Sequence, residues 1–159
     1  MRMAGGEAGP SITIHNRQRA VRLDVAWLRR FAEVVLPRCV ECSNDDTFAL
    51  KKIEEIGVAV VSDPAIAALH QRFMNIAGPT DVITFADGDL AISAETARQR
   101  SAEFGHTAEE ELALYIVHGL LHLNGFDDTT PRAAARMRKV QERIWRGGRA
   151  QVPSPRSAP

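Results

Sequence analysis

Apolar and polar positions along the first half of the chain follow two periods, which predict alternating strands and helices. Residues 11–16 (SITIHN) alternate as a half-buried strand does. Apolar residues then recur at helical spacing from Asp24 to Pro37, and the proline is expected to end this helix. The run IGVAVV predicts a buried strand, after which Asp63, as N-cap, begins a helix that extends to about Asn75.

The second half of the chain predicts a hairpin followed by helices. Residues 80–86 (TDVITFA) have the composition of a strand. The Asp87-Gly88 turn then returns the chain as an antiparallel strand over residues 89–93. A helix over residues 94–104 precedes a second one, which begins with a T-x-x-E capping box at Thr107.

The capped helix is apolar on nearly all sides until Asn124-Gly125 ends it, so it is expected to be largely buried. A last helix over residues 131–146 carries one apolar stripe and many basic residues. Because strands and helices do not alternate strictly, the pattern predicts an α+β fold, a small mixed sheet with helices packed on it. The stripe of the last helix consists of Ala134, Met137, Val140 and Ile144.

The length of 159 residues and the apolar content of 45% suit a single domain with one core, predicted to span residues 11–146. Residues 1–10 and 147–159 are rich in Gly, Pro, Ser and Ala and lack apolar periodicity, so both are predicted to be disordered tails. No apolar stretch reaches the ~18 residues that a membrane span requires, and no signal peptide follows Met1. The expected location is the cytoplasm, with no membrane contact.

Charge is balanced over the whole chain, with 20 basic and 20 acidic residues, but it is unevenly distributed. From Thr129 onward, seven arginines and Lys139 accompany a single acidic residue, Glu142. Net charge therefore indicates no polyanionic partner. The basic C-terminal segment is either a solvated helix face or a surface that contacts phosphates.

Two cysteines, Cys39 and Cys42, form an isolated C-x-x-C motif at the end of the first helical pattern. Such a pair is compatible with half of a zinc site, with a redox pair, or with two small residues at a helix end. The last interpretation is favoured, because a zinc finger would place its histidines ~12 to 15 residues farther on. His118 lies far beyond that distance.

The segment HGLLHLNGFDD, residues 118–128, concentrates residues that bind metals. His118 and His122 are about one helical turn apart, so their imidazoles project from the same face of the buried helix. Gly125 permits a left-handed turn that brings the next residues back, and Asp128 is placed to become a third ligand. Three protein ligands with one open position are typical of a catalytic zinc site.

Other interpretations of this segment stay open. Two histidines four residues apart also occur in buried helices without a metal, where their ring nitrogens need hydrogen-bond partners. If a metal binds, hydrolysis is the expected chemistry, because a bound metal polarises phosphoryl or carbonyl oxygens. Peptide hydrolysis is disfavoured, since Gly119 stands where H-E-x-x-H proteases carry their general base.

The segment HGLLHLNGFDD resembles the H-G-x-L-H-L-x-G-[YF]-D-H signature of the YbeY-type endoribonucleases, metal-dependent enzymes of bacterial ribosomal RNA maturation. Residues 78–93 (GPTDVITFADGDLAIS) are similar to the P-T-[DN]-V-L-S-F and G-D-I-x-I-S segments of that family. The likeness covers roughly residues 12–146. It implies a zincin-like metal helix, and one zinc ion bound by His118, His122 and Asp128.

Two departures from the family pattern concern the site. Asp128 stands at the place of the family's third histidine ligand, and a shift of one position would nominate Asp127 instead. A carboxylate ligand is expected to leave the bound water less acidic or to alter the metal preference. The family often has an arginine where this chain has Met74, and Arg72, two residues earlier, is rotated by about 200° on a helix.

The resemblance also implies cleavage of single-stranded RNA in a cleft between the metal helix and the hairpin strand 88–93. No general base is evident: Thr80, Asp81 and Thr84 are expected to cap a turn and pack a strand. His70 and His106 are expected at the surface. Phosphate contacts are hypothesised for Arg132, Arg136 and Arg143 of the last helix, together with Arg17, Arg19 and Arg22.

The favoured function is a zinc-dependent endoribonuclease that acts on ribosomal RNA precursors and associates with the ribosome or its assembly factors. One alternative is another metal-dependent hydrolase, such as a phosphoesterase or a peptidase. A second is a ribosome-assembly binding module with a structural metal. In that case a fourth protein ligand, for example Cys39 or Cys42, would close the coordination shell.

Overall fold

The computed structural model describes residues 9–42 and 49–156. The strands in these ranges are β1 (Ser11–Asn16), β2 (Glu55–Val61), β3 (Val82–Thr84) and β4 (Asp89–Ser93). The helices are α1 (Val25–Glu41), α2 (Asp63–Met74), α3 (Ala94–Phe104), α4 (Ala108–Leu123) and α5 (Pro131–Gln151). A short 3₁₀ turn, Leu50–Lys52, precedes β2. None of the described helices is both long and apolar enough to cross a membrane.

The strands form one mixed sheet in the order β1, β2, β4, β3. β1, β2 and β4 run parallel, with Val60 opposite Ile92. β3 pairs antiparallel with β4, with Ile83 opposite Ala91, as the predicted hairpin requires. The prediction of an α+β fold with a small mixed sheet is confirmed, and β3 occupies one edge of that sheet.

Helices cover both faces of the sheet. On one face, Leu90 and Ile92 pack in the main core with side chains of α1, α4 and α5. On the other face, Ile83 and Ala91 pack against Ile66 of α2 in a smaller core. α4 contributes fully buried side chains to the main core, as its apolar sequence predicts: Leu112, Ile116, Leu120 and Leu121.

One predicted helix cap is confirmed and another is shifted by one residue. At α4, Thr107 and Glu110 form the capping box, each side chain accepting a hydrogen bond from the backbone N–H of the other. At α2 the N-cap is Ser62 rather than Asp63. The Asp63 carboxylate instead accepts hydrogen bonds from the hydroxyls of Ser93 and Thr96, so it joins α2 to the start of α3.

The first helix does not end where the sequence predicts. α1 continues past Pro37 to its C-cap, Cys42. An internal proline costs about 3 kcal/mol, because it donates no backbone hydrogen bond and its ring meets a preceding carbonyl. Leu36 and Cys39, on either side of Pro37, are buried in the main core, and their burial offsets this cost.

The last helix is also longer than predicted, since α5 continues to Gln151. Gly148 lies so close to α1 that a Cβ in its place would come within 2.6 Å of Val35 Cγ1. Beyond the helix, the indole N–H of Trp27 donates to the carbonyl of Pro153. The prediction of a disordered tail is therefore wrong for residues 147–156, because the glycine there serves close helix packing. Residues 1–8 of the predicted N-terminal tail lie outside the described ranges.

Gly119 allows α4 to lie directly on β4. A Cβ at this position would lie 2.7 and 2.9 Å from the two terminal methyl carbons of Leu90, whose side chain is fully buried. Because Leu90 is enclosed by the main core, it has no free direction in which to move.

We expect Gly119→Ala to lower the free energy of unfolding by about 1–3 kcal/mol, because the added methyl overpacks the contact between α4 and β4. Urea denaturation measures this change. Leu90→Val shortens the opposing side chain, so the double variant should be less destabilised than the sum of the two single variants. Strictly additive effects would contradict this account of the contact.

Candidate metal centre

The last two turns of α4 carry the two histidines of the predicted site. His118 and His122 lie on one face of the helix, with ring centroids 4.5 Å apart and nearly perpendicular planes. Their Nε2 atoms face each other at 3.0 Å. Both residues are partly exposed, although the helix around them is mostly buried. The two imidazoles therefore form a pair at the edge of the main core.

Each histidine is held at its other ring nitrogen by an oxygen atom. His122 Nδ1 lies 2.9 Å from the carbonyl oxygen of Phe126, and His118 Nδ1 lies 2.7 Å from Oε1 of Gln141. A carbonyl oxygen can only accept, so in each neutral ring the proton resides on Nδ1 and Nε2 carries a lone pair. The two Nε2 atoms lie 3.0 Å apart, so both are placed to bind one shared cation.

Burial favours the neutral form of the second histidine. Desolvation, and after it the neighbouring His118, lower the pKa of His122 below its usual value. The neutral imidazole is the form that binds a metal, so the structure keeps this side chain ready as a ligand near neutral pH.

The chain reverses immediately after α4. Gly125 adopts a positive φ of 91°, and the N–H of Phe126 donates to the carbonyl of Leu121 across the end of the helix. Asn124 is almost fully buried, where its side chain accepts from the N–H of Leu50 and donates to the carbonyl of Cys39. The turn is thus attached to both the 3₁₀ turn and the end of α1.

This reversal brings Asp128 back to the histidines. Its Oδ2 lies 3.9 Å from His122 Nε2, and one ligand atom from each of His118, His122 and Asp128 lies within 4.8 Å of the others. The Asp128 side chain is 54% exposed, so the open side of this triangle faces solvent. The arrangement fits a metal with three protein ligands and an accessible further position.

The neighbouring aspartate has a different role. Oδ1 of Asp127 accepts hydrogen bonds from both the N–H and the hydroxyl of Thr129, and these bonds lower the pKa of its carboxyl. Asp127 therefore caps the turn that leads into α5. Of the two aspartates that the sequence nominates, the structure brings Asp128 to the histidines.

The triangle opens into a cavity of about 620 Å³. Its walls come from α4, from the 3₁₀ turn with Lys52 and Ile53, and from the β3 edge. The expectation that strand 88–93 forms the wall is wrong, because that strand, β4, lies inside the sheet between β2 and β3. The β3 side of the cavity is formed by Val82, Ile83, Thr84 and Ala86.

Met74, the position at which the sequence resemblance predicts an arginine, lines this cavity. Arg72 lies instead over the ring of Phe73, with its guanidinium carbon 5.3 Å from the ring centroid. It therefore does not replace the arginine at the position of Met74. Asp81 accepts from the N–H of Val82 and pairs with the Arg100 guanidinium, contacts that suit the expected capping and packing role.

The basic residues nominated for phosphate contact lie in two regions. Arg132 and Arg136 adjoin the metal turn, where they line a small pocket with Asp127, and Arg136 stacks on the ring of Phe126. Arg143 lies farther along α5, against the thiol of Cys42. In contrast, Arg17, Arg19 and Arg22 follow β1, at the carboxyl end of the parallel strands. The metal cavity lies at the opposite end of the sheet, where these strands begin.

The remaining candidates stay apart from the site. Cys39 is buried near the end of α1, where burial raises the pKa of its thiol, and Cys42 is the C-cap, as the helix-end interpretation predicts.

His106 is not at the surface: its side chain is 12% exposed and its Nε2 lies 2.5 Å from the Glu111 carboxylate. His70 is partly buried, with Nδ1 2.9 Å from the carbonyl of Gly78.

Sequence reasoning missed Gln141, although a signal for it was present. Gln141 follows Met137 by four residues, so it lies on the apolar stripe of α5, next to Val140. A polar side chain on a stripe that packs into the core needs a buried partner. In this fold that partner is His118.

The family model described as Endoribonuclease YbeY matches residues 13–147 of this chain. A relative named Endoribonuclease YbeY from Roseiflexus sp. (strain RS-1) is 31% identical over 78% of this chain and 91% of its own length. One of the same name from Synechococcus sp. (strain CC9605) is 32% identical over 79% and 86%. The solution structure of TM1509 from Thermotoga maritima shares the fold, with a TM-score of 0.55 and 23% identity over 87% and 92%.

We expect the purified wild-type protein to contain about one metal ion per chain by elemental analysis, and His118→Ala and Asp128→Ala to lose it. Asp127→Asn is the matched control, because the amide oxygen still accepts from Thr129 and the metal should remain. Full metal content in Asp128→Ala, or metal loss in Asp127→Asn alone, would contradict Asp128 as the third ligand and favour Asp127.

Gln141→Leu is expected to weaken metal binding about 10–100-fold, because His118 then has no acceptor that fixes its ring and its tautomer. Gln141→Glu should retain the affinity, since a carboxylate also accepts from Nδ1. Competition with a chelator measures both affinities, and thermal unfolding of the metal-free proteins tests whether the fold is intact. Equal affinity in wild type and Gln141→Leu would show that His118 is oriented by its packing alone.

Proposed function

The chain belongs to the YbeY family of metal-dependent endoribonucleases, and we propose that it is a zinc enzyme that cleaves single-stranded RNA during ribosomal RNA maturation. His118, His122 and Asp128 are the proposed metal ligands. The observation that carries this proposal is the pair of Nε2 atoms, 3.0 Å apart, with a carboxylate beside them at the wall of an open cavity. Zinc accepts this set of nitrogen and oxygen ligands, with one position left for water or substrate.

A metal at this position would polarise a phosphoryl oxygen and lower the pKa of water, which is the chemistry that phosphodiester hydrolysis needs. The protein's own residues supply geometry: Phe126 and Gln141 hold the imidazoles, and the cavity admits the substrate phosphate. Two histidines and one carboxylate also suit iron(II), so the identity of the metal is decided by elemental analysis.

A phosphodiester is favoured over a peptide as substrate. Gly119 stands beside the first histidine, where zinc proteases carry a glutamate base, and its lack of a side chain is required by the contact with Leu90. Arg132 and Arg136, which adjoin the metal turn, suit a polyanion. The peptidase alternative therefore has no feature of the described site in its favour.

The proposed preference for a single strand is supported by the position of the ligands. The side chain of His122 is 26% exposed and the imidazoles lie at the wall of the cavity, so a phosphate has to enter to reach them. A flexible single strand can bend so that one phosphate enters such a cavity. In a duplex the two paired strands form a rigid helix, which does not bend in this way. A ribosomal RNA precursor as substrate would place the activity in the cytoplasm, at the ribosome or with its assembly factors.

We expect the zinc-loaded wild type to cleave an unpaired oligoribonucleotide faster than the same strand annealed to its complement. His118→Ala should lower the rate roughly 100-fold or more, because it removes the metal. Asp127→Asn is the control that should retain activity. Hydrolysis of a peptide with no cleavage of either RNA under the same conditions would contradict the proposal.

Arg132, Arg136 and Arg143 are proposed to contact phosphates of the bound strand. We expect Arg136→Gln to reduce the slope of log K against log salt by roughly 0.7, the contribution of one phosphate contact on single-stranded nucleic acid. Arg138→Gln is the matched control, because Arg138 is exposed on the same helix but rotated by about 200°. A wild-type affinity that does not change with salt would contradict the assignment of all three arginines.

A further inference from the structure

Large apolar side chains are exposed at one end of α2. Phe73, Met74 and Ile76 are 56%, 53% and 46% exposed, and they lie within four residues of one another. Phe104, the other aromatic residue of comparable exposure in the described ranges, lies at the end of α3. We call Phe73, Met74 and Ile76 the apolar rim. Large apolar side chains exposed this close together in the chain are typical of a binding surface.

The ring of Phe73 is held in a defined position. It packs edge-to-face on Phe85, with centroids 5.1 Å apart, and Phe85 directly follows the β3 hairpin strand. The Arg72 guanidinium lies 5.3 Å from the ring centroid. Asn75 ends the helix with a left-handed φ of 54°, and this turn carries the chain on to Ile76. The ring is therefore an oriented aromatic surface, with the Arg72 guanidinium over one face and the other face left for a ligand.

The apolar rim is continuous with the metal cavity. Met74 belongs both to the rim and to the cavity wall that includes His118 and His122. On the hairpin side, Phe85 supports Phe73 and is followed by Ala86, which also lines the cavity. Phe73 is therefore linked to two residues of the cavity wall, to Met74 as its neighbour in the chain and to Ala86 through Phe85.

We propose that the apolar rim, with Phe73 at its centre, is a platform on which an unpaired nucleobase adjacent to the scissile phosphate stacks. The inference rests on the proposed function, because it takes single-stranded RNA as the occupant. Aromatic rings bind bases of any identity through their faces, and a neighbouring arginine adds an attraction to the π-system. In a duplex these faces are covered by neighbouring bases, so the rim selects unpaired RNA without reading its sequence.

The test compares binding of a short fluorescent oligoadenylate with binding of the matching abasic backbone. A chelator is present to prevent cleavage. Phe73→Ala should bind oligoadenylate about tenfold more weakly than wild type does. It should bind the abasic strand as wild type does, because that strand has no base to stack. Phe104→Ala, which removes a comparably exposed ring at a different site, should match wild type on both strands.

Phe73→Trp supplies a readout that loss of folding cannot imitate. Trp27 and Trp145 are both buried, so the introduced indole would be the exposed tryptophan of the described chain. Oligoadenylate should quench its fluorescence and bind at least as tightly as it binds wild type. The abasic strand should leave the emission unchanged.

Three results would overturn the proposal. The first is an equal loss of affinity for both strands in Phe73→Ala, and the second is a loss in Phe104→Ala as large as that in Phe73→Ala. The third is a wild-type dimer by sedimentation that Phe73→Ala converts to a monomer without weaker RNA binding, which would make the rim a self-association surface. Because binding is measured without the metal, these outcomes are separate from failure of the nuclease activity itself.

Discussion

The reversal of the chain after α4 is the constraint on which the site depends. α4 lies in the main core, and its last turns hold two imidazoles at the edge of that core. The proposed third ligand, Asp128, comes from the residues that follow, and Gly125 permits the sharp turn because it adopts a positive φ. Phe126 then serves twice: its side chain is buried, which anchors the turn, and its carbonyl fixes the ring of His122.

Three other segments support this turn from outside α4. Asn124 connects it to the end of α1 and to the 3₁₀ turn before β2. Gln141 of α5 orients His118. The site is therefore assembled where α1, α4 and α5 meet, and the close contact of Gly148 with α1 helps to keep α5 in that position. A group of ligands supported in this way is preorganised, which favours metal binding over a local rearrangement.

The surroundings of the site differ on its two sides. Toward α2 the cavity includes Met74 of the apolar rim, and toward α5 the metal turn adjoins Arg132 and Arg136. A single RNA strand has both kinds of surface, with bases on one side and phosphates on the other. The edge position of β3 makes the apolar side accessible, because no further strand covers it in the described sheet.

The sequence alone determined the features that depend on neighbouring residues. Apolar periodicity, the capping box at Thr107 and the Asp87-Gly88 turn are local, so the hairpin and the course of α4 were predictable, as was the nomination of His118 and His122. For the third ligand the sequence nominated Asp128, with Asp127 as the alternative, because a turn's exact course depends on what it packs against.

Tertiary structure decided the rest. Asp128 is brought to the histidines while Asp127 caps the next turn, and Gln141 comes from a helix that is distant in sequence. α1 continues through Pro37 because burial in the core outweighs a local helix-breaking preference. β3 takes the edge of the sheet because β4 pairs with β2, a contact between segments far apart in the chain. Such long-range packing energies have no counterpart in local sequence patterns.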